Sequence, residues 1–141
     1  MINLPDNPGG GSSEDGYGED SVPLGVRCAS WVNGVPEEKV IDGGKHLAFN
    51  SMEWDRCKVS GSAGKRTERE VFLTHVKDCV DAGAGSVMSA YNLYHGVQCG
   101  HHDYLLNQVL TDEWDFDVCL LRDFAWGIQV CVDATNGGMD A

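Results

Sequence analysis

The sequence predicts an α/β fold in which parallel strands alternate with helices. Apolar strand-like segments and amphipathic helix-like segments follow one another in the order strand, helix, strand, helix, strand, helix. The strand segments are apolar throughout, which is typical of a parallel sheet that is covered on both faces. Glycine supplies 18 of the 141 residues, which indicates many tight turns. A chain of this length predicts a single domain.

The N-terminal part predicts a loop followed by a helix. Residues 1–20 are rich in Gly, Ser, Asp and Pro, a composition that favours a long loop. Residues 21–35 can form a short helix, because Leu24, Cys28 and Trp31 are spaced along one helical face.

Three apolar segments predict the strands. The first combines Val40-Ile41 with the apolar residues 47–49 and ends in a loop, and residues 54–66 are polar and read as a loop. Residues 86–91 predict the second strand. Residues 117–121 predict the third strand, which is almost continuously apolar.

Three further helices are predicted between and after these strands. Thr67 and Glu70 form a capping-box pattern before the first, and Asp103 can cap the second. The third is predicted from about residue 125 to residue 136, where Gly137-Gly138 follow. The predicted apolar faces are Phe72, Val76, Cys79 and Val80 in the first helix and Leu105, Leu106, Val109 and Leu110 in the second.

Charge and hydropathy exclude several function classes. With 22 acidic and 10 basic side chains, the net charge is −12, which argues against nucleic acid and against an anionic membrane surface as partners. No apolar run approaches the roughly 20 residues that span a bilayer. Residues 1–6 have neither a basic region nor an apolar core, so no signal peptide is predicted there. The compartment stays open.

The six cysteines are expected to be free thiols. They are evenly scattered without a Cys-x-x-Cys pair, and most lie in apolar segments, so we expect them to pack as small hydrophobic side chains. They are Cys28, Cys57, Cys79, Cys99, Cys119 and Cys131.

The candidate functional residues lie where the predicted strands end. In parallel sheets and barrels, chemistry is carried by the carboxyl ends of the strands and by the loops that follow them. Lys45-His46, Tyr91-Asn92 and Asp123 occupy such positions.

Five short motifs follow one another along the chain. They are Tyr17–Asp20, Lys45–Ser51, Met88–Asn92, Asp112–Trp114 and Asp123–Phe124. Together they resemble the N-terminal (β/α)8 barrel domain of glycoside hydrolase family 3, the β-glucosidases and related exo-acting glycosidases. The similarity extends from about residue 2 to the end of the chain.

The resemblance implies part of a TIM (β/α)8 barrel with parallel strands and flanking helices. A complete barrel takes about 250 residues, so residues 1–141 form a single partial barrel domain with the Gly/Ser/Asp-rich loop 1–20 at its start. Part of a barrel leaves open sheet edges, through which the chain could associate with itself.

The resemblance also implies the chemistry. The family removes terminal β-linked glucose or a similar sugar with retention of configuration, and it places the nucleophile at Asp123. The second carboxylate, a general acid/base, usually comes from a following C-terminal domain and is not expected in this chain. The alternative is a truncated, non-catalytic fragment that binds carbohydrate or another partner. Family members are often periplasmic or secreted.

The resemblance assigns substrate contacts as well. Lys45, His46 and Arg56 match family positions that hydrogen-bond the terminal sugar. Tyr91 matches a tyrosine beside the nucleophile, and Phe124 matches an aromatic position whose ring can pack on a pyranose. The expected partner is a small β-glycoside, and no cofactor is implied.

Several positions depart from the family pattern, among them the segment Asp115–Val118, which the family usually has as Gly-Phe-Asp-Gly. Ser12 stands where the family usually has a sugar-binding arginine, and Arg122 stands where a small serine usually precedes the nucleophile. Together these changes suggest a relaxed or diverged site.

A metal reading of Cys99, His101 and His102 is not adopted. These residue types suit zinc, but a closed site needs a fourth ligand, and the sequence has no second cluster. The corresponding family loop requires no metal.

Overall fold

The computed structural model of the chain describes residues 1–11 and 13–141. Six strands lie in this part of the chain, and they form two small sheets. The strands are β1 (Gly44–Leu47), β2 (Ser60–Gly61), β3 (Ser86–Ser89), β4 (Leu93–Tyr94), β5 (Val97–Gln98) and β6 (Cys119–Leu121).

The central sheet has the strand order β1-β3-β6, and both of its pairings are parallel. Val87 in the middle strand pairs with Gly44 on one side and with Leu120 on the other. In the second sheet, β2 pairs with β4 in parallel and β4 pairs with β5 antiparallel. Because the central strands are parallel, their carboxyl ends meet at one edge of the sheet.

Helices connect these strands. Besides the α-helices there are two π-helices, Glu68–Phe72 and Tyr104–Glu113, and short 3₁₀-helices at Ser13–Asp15, Val35–Glu38 and Cys99–His101. The α-helices are α1 (Ser21–Gly34), α2 (Lys65–Thr67), α3 (Thr74–Asp81) and α4 (Cys131–Asn136).

The prediction of α1 is confirmed, with one change on its buried face. Asp20 caps the helix, since its Oδ1 accepts a hydrogen bond from the Val22 N–H at 2.9 Å. Leu24 and Cys28 are buried, but Trp31 is 40% exposed and Val32 is buried in its place.

The predicted capping box is wrong. Thr67 is the last residue of α2 and makes no side-chain capping hydrogen bond, because the helical segment already begins after Gly64. Glu70 instead accepts two hydrogen bonds from Arg66 Nε. The predicted apolar face of this helical segment is confirmed, because Val76 is buried and Phe72 packs against the core.

The predicted cap of the following helix is also wrong. Asp103 precedes the π-helix in helical conformation and makes no side-chain capping bond. Its carboxylate accepts hydrogen bonds from the side chains of Asn107 and Gln108. All four predicted apolar residues of this helix are buried.

Strand and helix limits differ from the prediction. Val40 and Ile41 are exposed, and β1 begins only at Gly44. The strand β3 ends at Ser89, and β6 starts at Cys119, later than residue 117. Residues 125–130 form turns, so α4 is shorter than predicted. The 54–66 segment contains β2 and the start of α2 as well as the predicted loop.

The core lies between the central sheet and the helices. α1 packs on α3, and α3 contacts β1. The N-terminal segment contributes as well, because Ile2 and Leu4 are buried and the Ile2 N–H bonds to the Lys45 carbonyl at 2.8 Å. The cysteines are free, and Cys28, Cys79 and Cys99 are buried while Cys131 is exposed. In the described part of the chain, no helix is long and apolar enough to cross a membrane.

Candidate active site

Two strand ends bring a histidine and a carboxylate together. His46 belongs to β1, and Asp123 follows β6 by two residues. His46 Nε2 lies 3.1 Å from Asp123 Oδ2, and both residues are less than a tenth exposed. The parallel sheet creates this contact, since it places the carboxyl ends of β1 and β6 on the same edge.

Asp123 is held in its ionised form. Burial alone acts to raise the pKa of this carboxyl group, but His46, the Phe124 N–H and the charge of Arg56 together lower the pKa below its ordinary value. The Phe124 N–H donates to Oδ1 at 2.8 Å. Among the described residues, Oδ2 has no well-aligned hydrogen-bond donor, although His46 is close by. One carboxylate oxygen therefore keeps a lone pair for chemistry.

Asn50 orients the imidazole of His46. Asn50 Nδ2 lies 3.2 Å from His46 Nδ1, and both side chains are buried. When Asn50 donates to Nδ1, a neutral His46 carries its proton on Nε2, the atom that faces Asp123. Asn3 fixes this turn from the other side through a hydrogen bond to the Asn50 carbonyl.

Arg56 and Tyr91 form a second layer around the carboxylate. The Arg56 guanidinium lies over the Tyr91 ring at 4.1 Å and pairs with Glu53 at 2.7 Å. Burial and then the charge of Asp123 raise the pKa of Tyr91, so its hydroxyl stays protonated and can donate a hydrogen bond.

Phe124 and Lys45 occupy different surroundings. Phe124 is 82% exposed, so its ring is available to a ligand at the edge of the site. Lys45 is exposed and lines a cavity of about 150 Å³ together with Tyr17, Trp31 and Cys79. The structure thus brings His46, Arg56 and Tyr91 to Asp123, whereas Lys45 faces this other cavity.

Among the departures from the family pattern, Arg122 reaches forward along the chain, and its Nη1 donates to the Phe124 carbonyl at 2.7 Å. Ser12 lies outside the described residues.

Sequence reasoning missed several residues of the site. Asn50 and Glu53 act through His46 and Arg56, and their spacings of four and three residues are a signal that could have indicated them. Gln98 and His101 contact the loop after Asp123 from far along the chain, and no local pattern indicates that contact.

The residues considered for a metal are engaged otherwise. His102 Nε2 lies 3.0 Å from the Tyr94 carbonyl, and His101 Nε2 accepts the Gln129 N–H at 3.0 Å. Within the described residues, no group of three or more His, Cys, Asp or Glu side chains is arranged to hold a metal ion.

These features define part of a parallel α/β barrel with an ionised carboxylate at the carboxyl end of a strand. A profile described as "Glycosyl hydrolase family 3 N terminal domain" matches residues 1–137. The chain therefore belongs to glycosyl hydrolase family 3.

Curated proteins similar to this chain are described as beta-glucosidases. The chain is 31% identical over 140 residues to "Probable beta-glucosidase J" of Aspergillus fumigatus. The aligned region covers 99% of this chain and 16% of that protein. It is 33% identical over 127 residues to "Beta-glucosidase BoGH3A" of Bacteroides ovatus, which covers 89% of this chain and 17% of that protein. The chain thus spans about a sixth of the length of these relatives.

Solved structures confirm the predicted fold. Beta-glucosidase 3B from Thermotoga neapolitana, solved in complex with glucose, is 32% identical with a TM-score of 0.92 and covers 96% of this chain and 19% of that one. The Bifidobacterium adolescentis GH3 beta-glucosidase gives 30% identity and a TM-score of 0.92, covering 97% of this chain and 20% of that one. The chain is accordingly a partial (β/α)8 barrel with parallel strands and flanking helices.

Proposed function

We propose that this site acts in the hydrolysis of terminal β-linked glucose, or a similar sugar, from a small glycoside with retention of configuration. The observation that carries the proposal is Asp123, a buried carboxylate whose pKa is held low at the end of a barrel strand. Membership of glycosyl hydrolase family 3 and the similarity to proteins described as beta-glucosidases support it.

In the proposed reaction, Asp123 is the nucleophile. One carboxylate oxygen attacks the anomeric carbon while the bond from that carbon to the leaving-group oxygen breaks. Water then hydrolyses the glycosyl ester and restores the carboxylate. The low pKa of Asp123 supports this role because only the ionised carboxylate can attack.

The general acid/base is proposed to lie outside this chain. Retention requires a second carboxyl group roughly 5 Å from the nucleophile, on the other side of the scissile bond. That group protonates the leaving oxygen in the first step and deprotonates water in the second. The proposed hydrolysis requires no cofactor.

The remaining site residues are proposed as substrate contacts. His46, Arg56 and Tyr91 surround the carboxylate and can hydrogen-bond sugar hydroxyls. Phe124 offers an exposed ring for the apolar face of a pyranose. Lys45 is proposed as a further hydroxyl contact on the resemblance to the family alone, since it lies on the cavity beside Tyr17 and Trp31 rather than beside Asp123.

A second candidate function is carbohydrate binding without turnover. Arg122, which stands directly before Asp123 where the family usually has a small serine, favours it, because a diverged site can bind a glycoside and still fail to cleave it. Saturable sugar binding without any reaction at Asp123 is the signature of this alternative.

The test is covalent trapping on the chain itself. A dinitrophenyl 2-deoxy-2-fluoro-β-glucoside has a leaving group that needs no acid, and the fluorine slows both chemical steps, so the glycosyl-enzyme accumulates. We expect intact mass to increase by one fluoroglucosyl unit and peptide mapping to place the adduct on Asp123.

Matched variants make the result specific. Asp123→Asn should give no adduct, whereas Asp117→Asn, which changes an exposed carboxylate just before β6, should label like the unmodified chain. A chain with native circular dichroism that gives no adduct would overturn the catalytic proposal and favour the binding alternative.

A further inference from the structure

We propose that the segment Gln98–His101 is a clamp that positions Asp123 opposite His46, with Gln98 and His101 as positioning residues for the proposed reaction. The inference rests on the proposed function for its catalytic consequence. Its structural part concerns only how the loop after β6 is held.

The clamp hydrogen-bonds to the loop after each central strand. The thiol of Cys99 donates to the Ala48 carbonyl after β1 at 3.5 Å, and the Cys99 N–H donates to the Asn92 carbonyl after β3 at 3.0 Å. Gln98 Nε2 donates to the Trp126 carbonyl after β6 at 2.9 Å. One short segment thereby joins the three loops that carry the site.

His101 holds the far end of the loop after β6. Its Nε2 accepts the N–H of Gln129 at 3.0 Å and lies 3.4 Å from the N–H of Val130. Accepting at Nε2 requires the neutral tautomer with its proton on Nδ1. Gln98 and His101 therefore fix residues 126 and 129–130 at two points, one on each side of Gly127.

Gly100 and Gly127 bring the backbone of the clamp into close contact with the backbone around Asp123. A Cβ on Gly100 would lie 2.3 Å from the Gly127 carbonyl oxygen, so the two backbones are in close contact. A Cβ on Gly127 would in turn lie 2.3 Å from the Asp123 carbonyl oxygen and 2.6 Å from the Asp123 nitrogen. Since backbone packs on backbone at both steps, a displacement of the clamp displaces Asp123 as well.

Asp123 needs such support because its partner lies on another strand. The contact of 3.1 Å between His46 and Asp123 joins residues 77 positions apart, and Oδ2 has no well-aligned hydrogen-bond donor among the described residues. Phe124, Trp126 and Val130 are exposed and Ile128 is only partly buried against the core, so the side chains of this loop bury limited apolar surface that could hold it. The hydrogen bonds of Gln98 and His101 supply that restraint.

Two amide variants of His101 test the role of the acceptor. In His101→Gln, the side-chain oxygen can reach the place of Nε2, because the same number of bonds separates each atom from Cβ. In His101→Asn, the oxygen takes the place of Nδ1 and cannot reach the N–H groups of Gln129 and Val130. The two variants share polarity and neutrality and differ mainly in reach.

The first readout is the Asp123 carboxyl carbon followed by NMR through a pH titration, which requires no turnover. In His101→Gln, we expect the Asp123 carboxyl group to titrate as in the unmodified chain. In His101→Asn, we expect it to titrate at higher pH, because Asp123 moves away from His46. Amide exchange at Gln129 and Val130 should be faster in His101→Asn than in His101→Gln. Identical Asp123 titration in the two variants would overturn the proposal.

The second readout is the rate of labelling by the fluoroglucoside. We expect His101→Asn to lower the labelling rate at saturation by about tenfold or more and His101→Gln to preserve it, because a misplaced nucleophile loses its near-attack geometry. If the unmodified chain is not labelled, that result contradicts the proposed function but not the clamp, because the NMR titration of Asp123 tests the clamp without any reaction. If His101→Asn does not fold, Gln98→Met, which removes the donor to Trp126 at nearly constant length, replaces it in both measurements.

Discussion

Gly127 shows how closely the backbone packs around the proposed nucleophile. The replacement Gly127→Ala would place a methyl carbon 2.3 Å from the Asp123 carbonyl oxygen, so the Asp123 backbone has to move. We expect labelling of Asp123 to slow by about a hundredfold, the effect of a misplacement near 1 Å. The measurement is the labelling rate constant with the fluoroglucoside.

Gly34→Ala is the matched control for this substitution. Gly34 has a φ of −85° and open space around its Cβ position, so an alanine fits there. We expect its labelling rate to equal that of the unmodified chain. Equal rates in both alanine variants would show that Asp123 tolerates the shift.

Individual residues also show how much of the candidate site the sequence predicts. Asp123 and His46 could be expected close together from the sequence because strand ends in a parallel α/β fold converge and because ordered motifs surround both residues. Gln98 and His101 could not be predicted, because their roles depend on side-chain contacts that join distant turns. Hydrogen bonds of this kind leave no periodic pattern in the chain.

At the scale of elements, a buried carboxylate joins the α2 region to the second sheet. Glu68 is 1% exposed and accepts hydrogen bonds from the hydroxyls of Tyr94 and Tyr104. Burial acts to raise its pKa, but the two tyrosines and the nearby charges of Lys65 and Arg69 lower it below the ordinary value. Ionised Glu68 therefore stabilises the fold above its ordinary pKa, and the contribution declines as pH falls through the lowered one.

Replacing Glu68 by glutamine should expose this contribution. We expect Glu68→Gln to lower the free energy of unfolding by about 2 kcal/mol at pH 7, since two buried hydroxyls lose a charged acceptor. The difference in the free energy of unfolding between Glu68→Gln and the unmodified chain should shrink as the pH falls below 4. Urea denaturation at a series of pH values measures it, and Glu70→Gln, which breaks only an exposed pair with Arg66, should change stability by less than about 0.5 kcal/mol.

The helix α3 contains a second pH-sensitive group. Burial lowers the pKa of His75 to about 4, against an ordinary value near 6.5, so the unfolded chain binds more protons than the folded one between these two values. Stability should therefore be highest above pH 6.5 and fall by about 3 kcal/mol as pH drops to 4. We expect His75→Gln to flatten this part of the urea-midpoint profile.

A histidine on the surface supplies the control for His75. His95 is exposed, and His95→Gln is the surface replacement against which the His75→Gln profile is compared. If His75→Gln and His95→Gln give the same profile, burial of His75 does not govern the acid sensitivity.

Element limits were harder to predict than element types. The helices and the three central strands occur in the predicted order because apolar periodicity reports burial. The observed helix and strand limits differ from the predicted ones where local contacts are not reflected in the apolar periodicity. Glu70 binds Arg66 rather than capping a helix. Val40-Ile41 lie exposed before β1, whereas Ile2 is buried beside that strand.

At the scale of the whole molecule, the three-stranded sheet lacks the closure of a complete barrel. Apolar side chains remain exposed on and after the segment leading into β6, and we expect the chain to associate with itself through this region. The exposed apolar residues there are Val118, Phe124, Trp126, Val130 and Val132.

Sedimentation velocity measures this association. The sedimentation coefficient should rise with protein concentration, and it should rise further with salt, because a net charge of −12 repels like chains until it is screened. Trp126→Arg should weaken association, whereas Trp54→Arg, at a tryptophan on another loop, should not. A coefficient independent of concentration would contradict the expectation.

Both chain termini run beside the outer strands of the central sheet. The Ile2 N–H bonds to the Lys45 carbonyl of β1, and on the opposite edge the N–H of Arg122, just after β6, bonds to the Ala141 carbonyl at 2.7 Å. Polypeptide fused directly to either terminus would therefore start alongside an outer strand of the sheet. Affinity tags on this chain need flexible spacers, and the two termini are natural attachment points for split-protein complementation with added strands.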